Sequence, residues 1–153
     1  MFSLNLPSFT PKIKETDGKH MIFDPIRKKY ITLTPEEWVR QHFVNYLIVN
    51  KGFPSGRMSN ECNINLNGLK RRCDTVLYDL LLKPLVIIEF KAPDVTITQA
   101  VFDQAARYNS VLKAPYLVIT NGLVHHACKI DFTKANIEYL NSLPLYSEMI
   151  SNP

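Results

Sequence analysis

Leu85-Val86-Ile87-Ile88-Glu89-Phe90-Lys91 is the stretch on which the fold turns. Its almost unbroken apolar run belongs to a central strand buried on both faces, yet it carries two charged residues. Residues two apart on a strand share a side, so Glu89 and Lys91 lie together, roughly 6–7 Å apart along the chain, while Ile88 and Phe90 pack on the other side. The strand before it holds Cys73-Asp74-Thr75-Val76-Leu77, in which Asp74 is out of phase with Cys73, Thr75 and Leu77. A hairpin between the two strands brings Asp74 beside Glu89, and two carboxylates then converge with one lysine.

Outward from this hairpin the pattern is equally readable. Thr34 as N-cap, Pro35 at the first helical position and Glu37 placed to close a capping box predict a helix running to about Asn50. Val39, Phe43, Tyr46 and Leu47 share one face of it, and Glu36 falls within that face while Glu37 lies to the side. Gly52-Phe53-Pro54-Ser55-Gly56 breaks the helix. Glu61 to Leu66 alternates as a strand, turns at Asn67-Gly68 and returns over about Leu69 to Tyr78. The stretch from about Thr96 to Leu112 is helical, with Val101, Ala105, Tyr108 and Leu112 on one stripe, and Tyr116 to Thr120 is a second buried strand stopped by Asn121-Gly122. A weak strand near residues 127–130 and a short helix near 136–143 complete the expectation. This order predicts an α/β fold with helices on both faces of a mixed sheet. Residues 1–30, polar and punctuated by Pro7, Pro11 and Pro25, are expected as an extended lead-in to a single domain over 31–153.

The chain has 153 residues, 46% of them apolar and 21% charged, which fits one globular domain and excludes a disordered or collagen-like chain. Eighteen Lys and Arg against 14 Asp and Glu give a formal charge of +4, a mild bias toward polyanionic partners. Cys62, Cys73 and Cys128 form no C-x-x-C pair, which argues against a disulfide scaffold or zinc knuckle and for a reducing compartment. Neither a secretory leader nor an apolar run of the ~18 residues a membrane span needs is present, so a cytoplasmic, membrane-free protein is expected.

Converging carboxylates repel each other, and hard oxygen ligands with open water positions suit Mg²⁺, with Mn²⁺ as a substitute. Such a site would bind the metal through Asp74 and Glu89, with the Phe90 backbone carbonyl as a further ligand. It would polarise a phosphoryl oxygen and lower the pKa of a bound water, the needs of phosphodiester hydrolysis, with Lys91 orienting that water or stabilising the transition state. The competing reading is a buried ion-pair network that fixes strand register. Lys70, Arg71 and Arg72, just before Asp74, either meet a DNA backbone or keep an exposed strand edge soluble. Asp103 and Arg107 read as an exposed helical ion pair, and His125-His126 as a strand-end pair.

Asp74, fourteen intervening residues and then Glu89-Phe90-Lys91 resemble the PD-(D/E)xK nuclease superfamily, which includes many restriction endonucleases; Cys73 stands where the superfamily name has proline. Thr34-Pro35-Glu36-Glu37-Trp38-Val39-Arg40-Gln41 and Phe102-Asp103-Gln104-Ala105-Ala106-Arg107-Tyr108 are similar to the N-terminal nuclease domain of the restriction subunit of type I restriction enzymes and its small stand-alone relatives. The likeness covers roughly residues 30–130. It implies a three-layer restriction-endonuclease-like fold and an Mg²⁺-dependent DNA endonuclease in restriction or defence. It also implies that Glu36, four residues before Arg40, approaches the metal site, although an acid in a first helical turn has its own electrostatic reason. The Gln-x-x-x-Tyr pattern implies that Gln104 and Tyr108 support the site or the DNA backbone. No G-x-x-x-x-G-K-[ST] loop occurs, so ATP-driven translocation is not expected of this chain by itself. A domain of this size that cuts both strands is expected to need restriction-system subunits or a homodimeric partner, and the alternative is a non-cleaving DNA-binding or docking module.

Overall fold

The first long helix, α1 (Pro35–Lys51), is set at both ends by its caps. The Thr34 hydroxyl accepts the Glu37 N–H, Pro35 occupies the first turn, and Gly52 at φ 73° ends the helix with its N–H on the Leu47 carbonyl. Val39, Phe43, Val44 and Leu47 are buried, so α1 lays one apolar stripe against the sheet. The computed structural model of the protein describes residues 2–151.

After α1 the chain forms a hairpin of β4 (Met58–Leu66) and β5 (Leu69–Tyr78), then β6 (Pro84–Phe90), the helix α2 (Gln99–Leu112), β7 (Tyr116–Thr120), β8 (His125–Asp131), β9 (Asn136–Leu140) and a last helix, α3 (Tyr146–Ser151). The six strands make one sheet in chain order. Only β6 and β7 run parallel, and α2 is the crossover that a parallel pair requires. Alternate residues of β6 serve opposite faces: Val86, Ile88 and Phe90 join the α1 cluster with Phe43 and Leu47, whereas Ile87 joins Ala105, Leu117 and Ile119 beneath α2. The mixed sheet covered by helices is the α/β fold that the sequence predicts. Each such buried aliphatic or aromatic side chain is worth about 1.5–3 kcal/mol relative to exposure.

Two expectations are corrected. Residues 136–143, expected as a short helix, begin with β9, which pairs antiparallel with β8 from Ala127↔Leu140 to Asp131↔Asn136. Asp131 turns the chain by accepting the N–H groups of Thr133 and Lys134, and Ala135 at φ 51° completes the reversal. The β-branched and aromatic alternation Ile137, Tyr139 fits an edge strand better than a helix.

The expected extended lead-in is also packed structure. Residues 13–32 form an antiparallel sheet of β1 (Ile13–Thr16), β2 (Lys19–Asp24) and β3 (Lys29–Thr32). The segment before it crosses the molecule: the Asn5 N–H donates to the Gly122 carbonyl, and the Trp38 indole donates to the Phe2 carbonyl. Gly122 sits at φ 84°, and a Cβ there would meet Leu4 Cδ2 at 2.7 Å, so the Asn121-Gly122 turn is also the seat of Leu4. His125, at the start of β8, bonds Thr120 Oγ1 and the Asn5 carbonyl through its two ring nitrogens. It joins strand to N-terminal segment, as a structural rather than catalytic histidine.

Candidate active site

The ladder between β5 and β6 stops at Thr75↔Ile88. Beyond that pair the Asp74 side chain replaces a backbone partner, with its Oδ2 accepting the Phe90 N–H at 2.7 Å. On its other edge β6 continues along β7 through Glu89↔Ile119 and Phe90↔Thr120, and the Lys91 N–H donates to the Thr120 carbonyl. A carboxylate therefore stands in the gap where two strands separate.

The opposite edge of β5 is irregular at the same point. Asn60↔Thr75 and Cys62↔Cys73 pair, with Glu61 and Asp74 between them and Glu61 at φ 60°. Simple alternation fails here: Cys73 clusters with Val76 and Ile64, while Leu77 belongs to the α1 side. Cys73 therefore does not share the face of Leu77, contrary to expectation, and Asp74 reaches Arg40 on the α1 side.

Glu89 is 7% exposed, with Oε1 3.4 Å from Lys91 Nζ and a buried Oε2 that no hydrogen bond satisfies. Burial first and the charge of Asp74 next push its carboxyl up to about 7, against the pull of Lys91. Asp74 is also held above the ordinary carboxylate range, chiefly by burial, although the Phe90 N–H and Arg40 oppose the shift. Glu36 rises for the same two leading reasons, burial and then Asp74. It shares a cavity of about 460 Å³ with Thr32, Arg40, Glu61 and Ala92 and makes no side-chain hydrogen bond or ion pair among the described residues. Asp74, Glu89, Glu36 and Lys91 therefore share one electrostatic field.

Arg40 is a residue to which the sequence reading gives no role of its own. It pairs not with Glu36 but with Glu37 Oε1 at 2.9 Å and Glu61 Oε1 at 3.3 Å, and its Nη2 lies 3.6 Å from Asp74 Oδ1. Its guanidinium sits 5.6 Å from the Phe90 ring centroid, 2% exposed, with Nε unsatisfied. Glu37 is likewise more than a cap: its carboxylate also takes Arg27 Nη2 at 2.9 Å. Behind this pair lies Asp24, fully buried, which accepts the Ile26 and Arg27 N–H groups, the Arg27 guanidinium and Asn60 Nδ2, while Thr75 Oγ1 donates to Asn60 Oδ1. Burial would raise Asp24, but these donors outweigh it and hold the carboxyl below its usual range. Glu61 was legible in principle, because counting back from the two-residue turn at Asn67-Gly68 places it opposite Asp74. Arg27 and Asp24 carried no such signal.

Gln104 and Tyr108 meet each other, with Nε2 donating to Oη at 3.3 Å, but no hydrogen bond among the described residues ties them to Asp74, Glu89 or Lys91. They line a separate cleft of about 480 Å³ with Asn67, Arg71 and Arg107. Arg107 does not form the expected pair with Asp103, which instead accepts from Gln99. Of the basic run, Arg72 binds Glu61 at 2.7 Å, Arg71 faces this cleft, and Lys70 is exposed.

The donor set fits a divalent cation. Asp74 raises the proton affinity of Glu89, and a buried Glu89 oxygen lacks any partner. Among the described residues no group of three His, Cys, Asp or Glu side chains forms a ready-made cage. Mg²⁺ does not need one, since it is commonly held by one or two carboxylates with water and phosphate oxygens completing its shell.

Fold and site together define a class: a mixed α/β domain whose central strand ends in a carboxylate and lysine constellation facing a second carboxylate. The type I restriction enzyme R protein N terminus is the family whose model matches residues 35–144, more than two thirds of the chain, and the chain belongs to that family. In fold it is similar to a fragment structure described as an HsdR subunit of a type I restriction enzyme from Vibrio vulnificus YJ016. The two share 19% identity at a TM-score of 0.57, over 78% of this chain and 25% of that one. The chain thus spans about a quarter of the length of that relative. No curated protein matches it. No described helix is long and apolar enough to cross a membrane.

Proposed function

We propose that the chain is a nuclease domain that hydrolyses DNA phosphodiester bonds with the help of a divalent cation, Mg²⁺ or Mn²⁺, in a restriction system. The observation that carries this reading is the buried, unpartnered Glu89 Oε2 beside Asp74, two carboxyls that burial holds above their ordinary range. Asp74 and Glu89 would hold the cation, with the Phe90 carbonyl as a backbone ligand and Glu36 as the third carboxylate of the field. When bound, it supplies a Lewis acid for the scissile phosphate and lowers the pKa of water. Lys91, anchored by Glu89, positions the attacking water and offsets charge on the phosphate. Arg40 is a positioning residue that keeps the Asp74 carboxylate oriented toward β6. The cleft of Gln104, Tyr108 and Arg71 takes the sugar-phosphate backbone, and partner subunits or a second copy supply sequence recognition.

Incubation with supercoiled plasmid in Mg²⁺ or Mn²⁺ tests the reading. Wild type should nick or linearise it, and Asp74→Ala, Lys91→Ala and chelation should each abolish the reaction. Retained cleavage in both variants would refute the site. If wild type is inert, calorimetric titration separates the rest: Asp74-dependent Mn²⁺ binding identifies a competent site awaiting its partner or DNA, and no binding leaves a non-cleaving module.

A further inference from the structure

The sheet of β1, β2 and β3 presents a surface that the carboxylate site does not use. Ile22 and Asp24 on β2 are fully buried, so the alternate positions of this sheet face outward. The register Thr16↔Lys19, Lys14↔Met21 and Phe23↔Tyr30 gathers Lys12, Lys14 and Lys19 with the two aromatic rings on that face. Its remaining positions are uncharged, and the acid of β1, Glu15, points the other way with His20. All three lysines are exposed and the rings half-exposed. Lys12 and Lys14 Nζ lie 5.7 and 4.2 Å from the centroids of Phe23 and Tyr30, which meet edge-on at 5.3 Å.

Three cations with no carboxylate among them repel one another unless an anion is present. Flat rings between the cations add a preference that simple polyanions do not satisfy, because they offer a stacking face to an unpaired base. A duplex hides its base faces, whereas a single strand presents both phosphates and exposed bases. Position also matters: Thr32, the last residue of β3, shares this face with Met21 and lines the cavity that holds Glu36, Arg40 and Glu61. The surface therefore borders the cavity that holds Glu36.

We propose that the outward face of β1, β2 and β3 binds a single-stranded nucleic-acid segment, with bases on Phe23 and Tyr30 and phosphates on Lys12, Lys14 and Lys19, next to the mouth of the carboxylate cavity. The binding does not require cleavage, so it is measured on the full chain in EDTA by fluorescence anisotropy. The probe is labelled oligothymidylate of about 15 nucleotides, a length within reach of one such platform. An abasic strand of equal length, a duplex and poly-L-glutamate are the comparators.

Oligothymidylate should bind about tenfold tighter than the abasic strand and the duplex, as one or two stacked bases would give. Lys14→Glu should weaken it about tenfold and flatten its salt dependence. Tyr30→Leu should weaken oligothymidylate several-fold and leave the abasic strand unchanged. Asp74→Ala should bind as wild type does. Equal binding of the abasic strand would overturn the stacking, and displacement by poly-L-glutamate as effective as by oligothymidylate would identify an acidic protein partner instead. Loss of binding in Asp74→Ala would move the strand to the carboxylate site. A wild type that neither cleaves plasmid nor binds Mn²⁺ yet still binds oligothymidylate would sink the nuclease reading and leave this one standing.

Discussion

Asp24 and Glu89 are both buried carboxylates within the same domain, and they respond to burial in opposite ways. Asp24 collects two backbone N–H groups, an amide and a guanidinium, and its carboxyl falls below the usual range. Glu89 has one lysine at 3.4 Å, an unsatisfied oxygen and Asp74 as neighbour, and its carboxyl rises to about 7. A buried carboxylate surrounded by donors is structural. One left short of donors beside a second carboxylate is a candidate functional group. Here the first supports the second through a continuous chain of contacts, since Asp24 fixes Asn60 and Thr75 immediately beside Asp74.

The comparison is broken most sharply by Asp24→Asn. It leaves the Arg27 guanidinium without its buried partner and should cost about 3 kcal/mol of stability in urea unfolding. Cleavage per folded molecule should persist, and a variant that stays fully folded yet inert would place Asp24 in the reacting site after all.

pH sharpens the contrast because the two shifts have opposite signs. Glu89 rises from its ordinary 4.5 to about 7, so its contribution to stability is fully present below about pH 4.5 and is lost as pH climbs through about 7. Asp24 is depressed from its ordinary 3.8, so its contribution is present above that value and lost as pH falls through the lowered one. Wild type should therefore lose on the order of 3 kcal/mol relative to Glu89→Gln between pH 4.5 and 8, the free-energy equivalent of the Glu89 shift. Parallel stability curves for the two proteins would contradict the raised pKa. Added Mn²⁺ should raise the melting temperature of wild type at pH 8 and not that of Glu89→Gln.

The smallest effect belongs to the link between the two regions. Thr75→Val removes the 2.7 Å bond to Asn60 and leaves the Asn60 carbonyl oxygen unsatisfied, at a cost of about 1–2 kcal/mol. Cleavage should fall only modestly, and a large loss of activity with little loss of stability would assign Thr75 a more direct part.

Much of this was legible along the chain. Capping residues set α1, the Asn67-Gly68 turn set β4 and β5, and the apolar runs set β6 and β7, because caps, tight turns and fully buried strands carry local chemical signals. Glu89 and Lys91 announced themselves as charges inside such a run. Asn136 to Leu140 was misread because an exposed edge strand carries little apolar periodicity, and residues 13–32 because a sheet built of polar, half-exposed strands looks like a linker. Gln104 and Tyr108 share a helix face as their spacing requires, but whether that face meets Asp74 or the cleft beside Arg71 depends on how α2 sits across the sheet.

The sequence by itself determined the element boundaries around the site and the residue types that converge there, since both follow from local backbone preference and hydrophobic period. Tertiary structure alone decided which acid each arginine serves. Arg40 serves Glu37, Glu61 and Asp74, and Arg27 reaches from the β2–β3 turn to Glu37. Ion pairs have no sequence period and form wherever packing leaves a charge buried, so their partners are fixed only when the sheets and helices have closed around them.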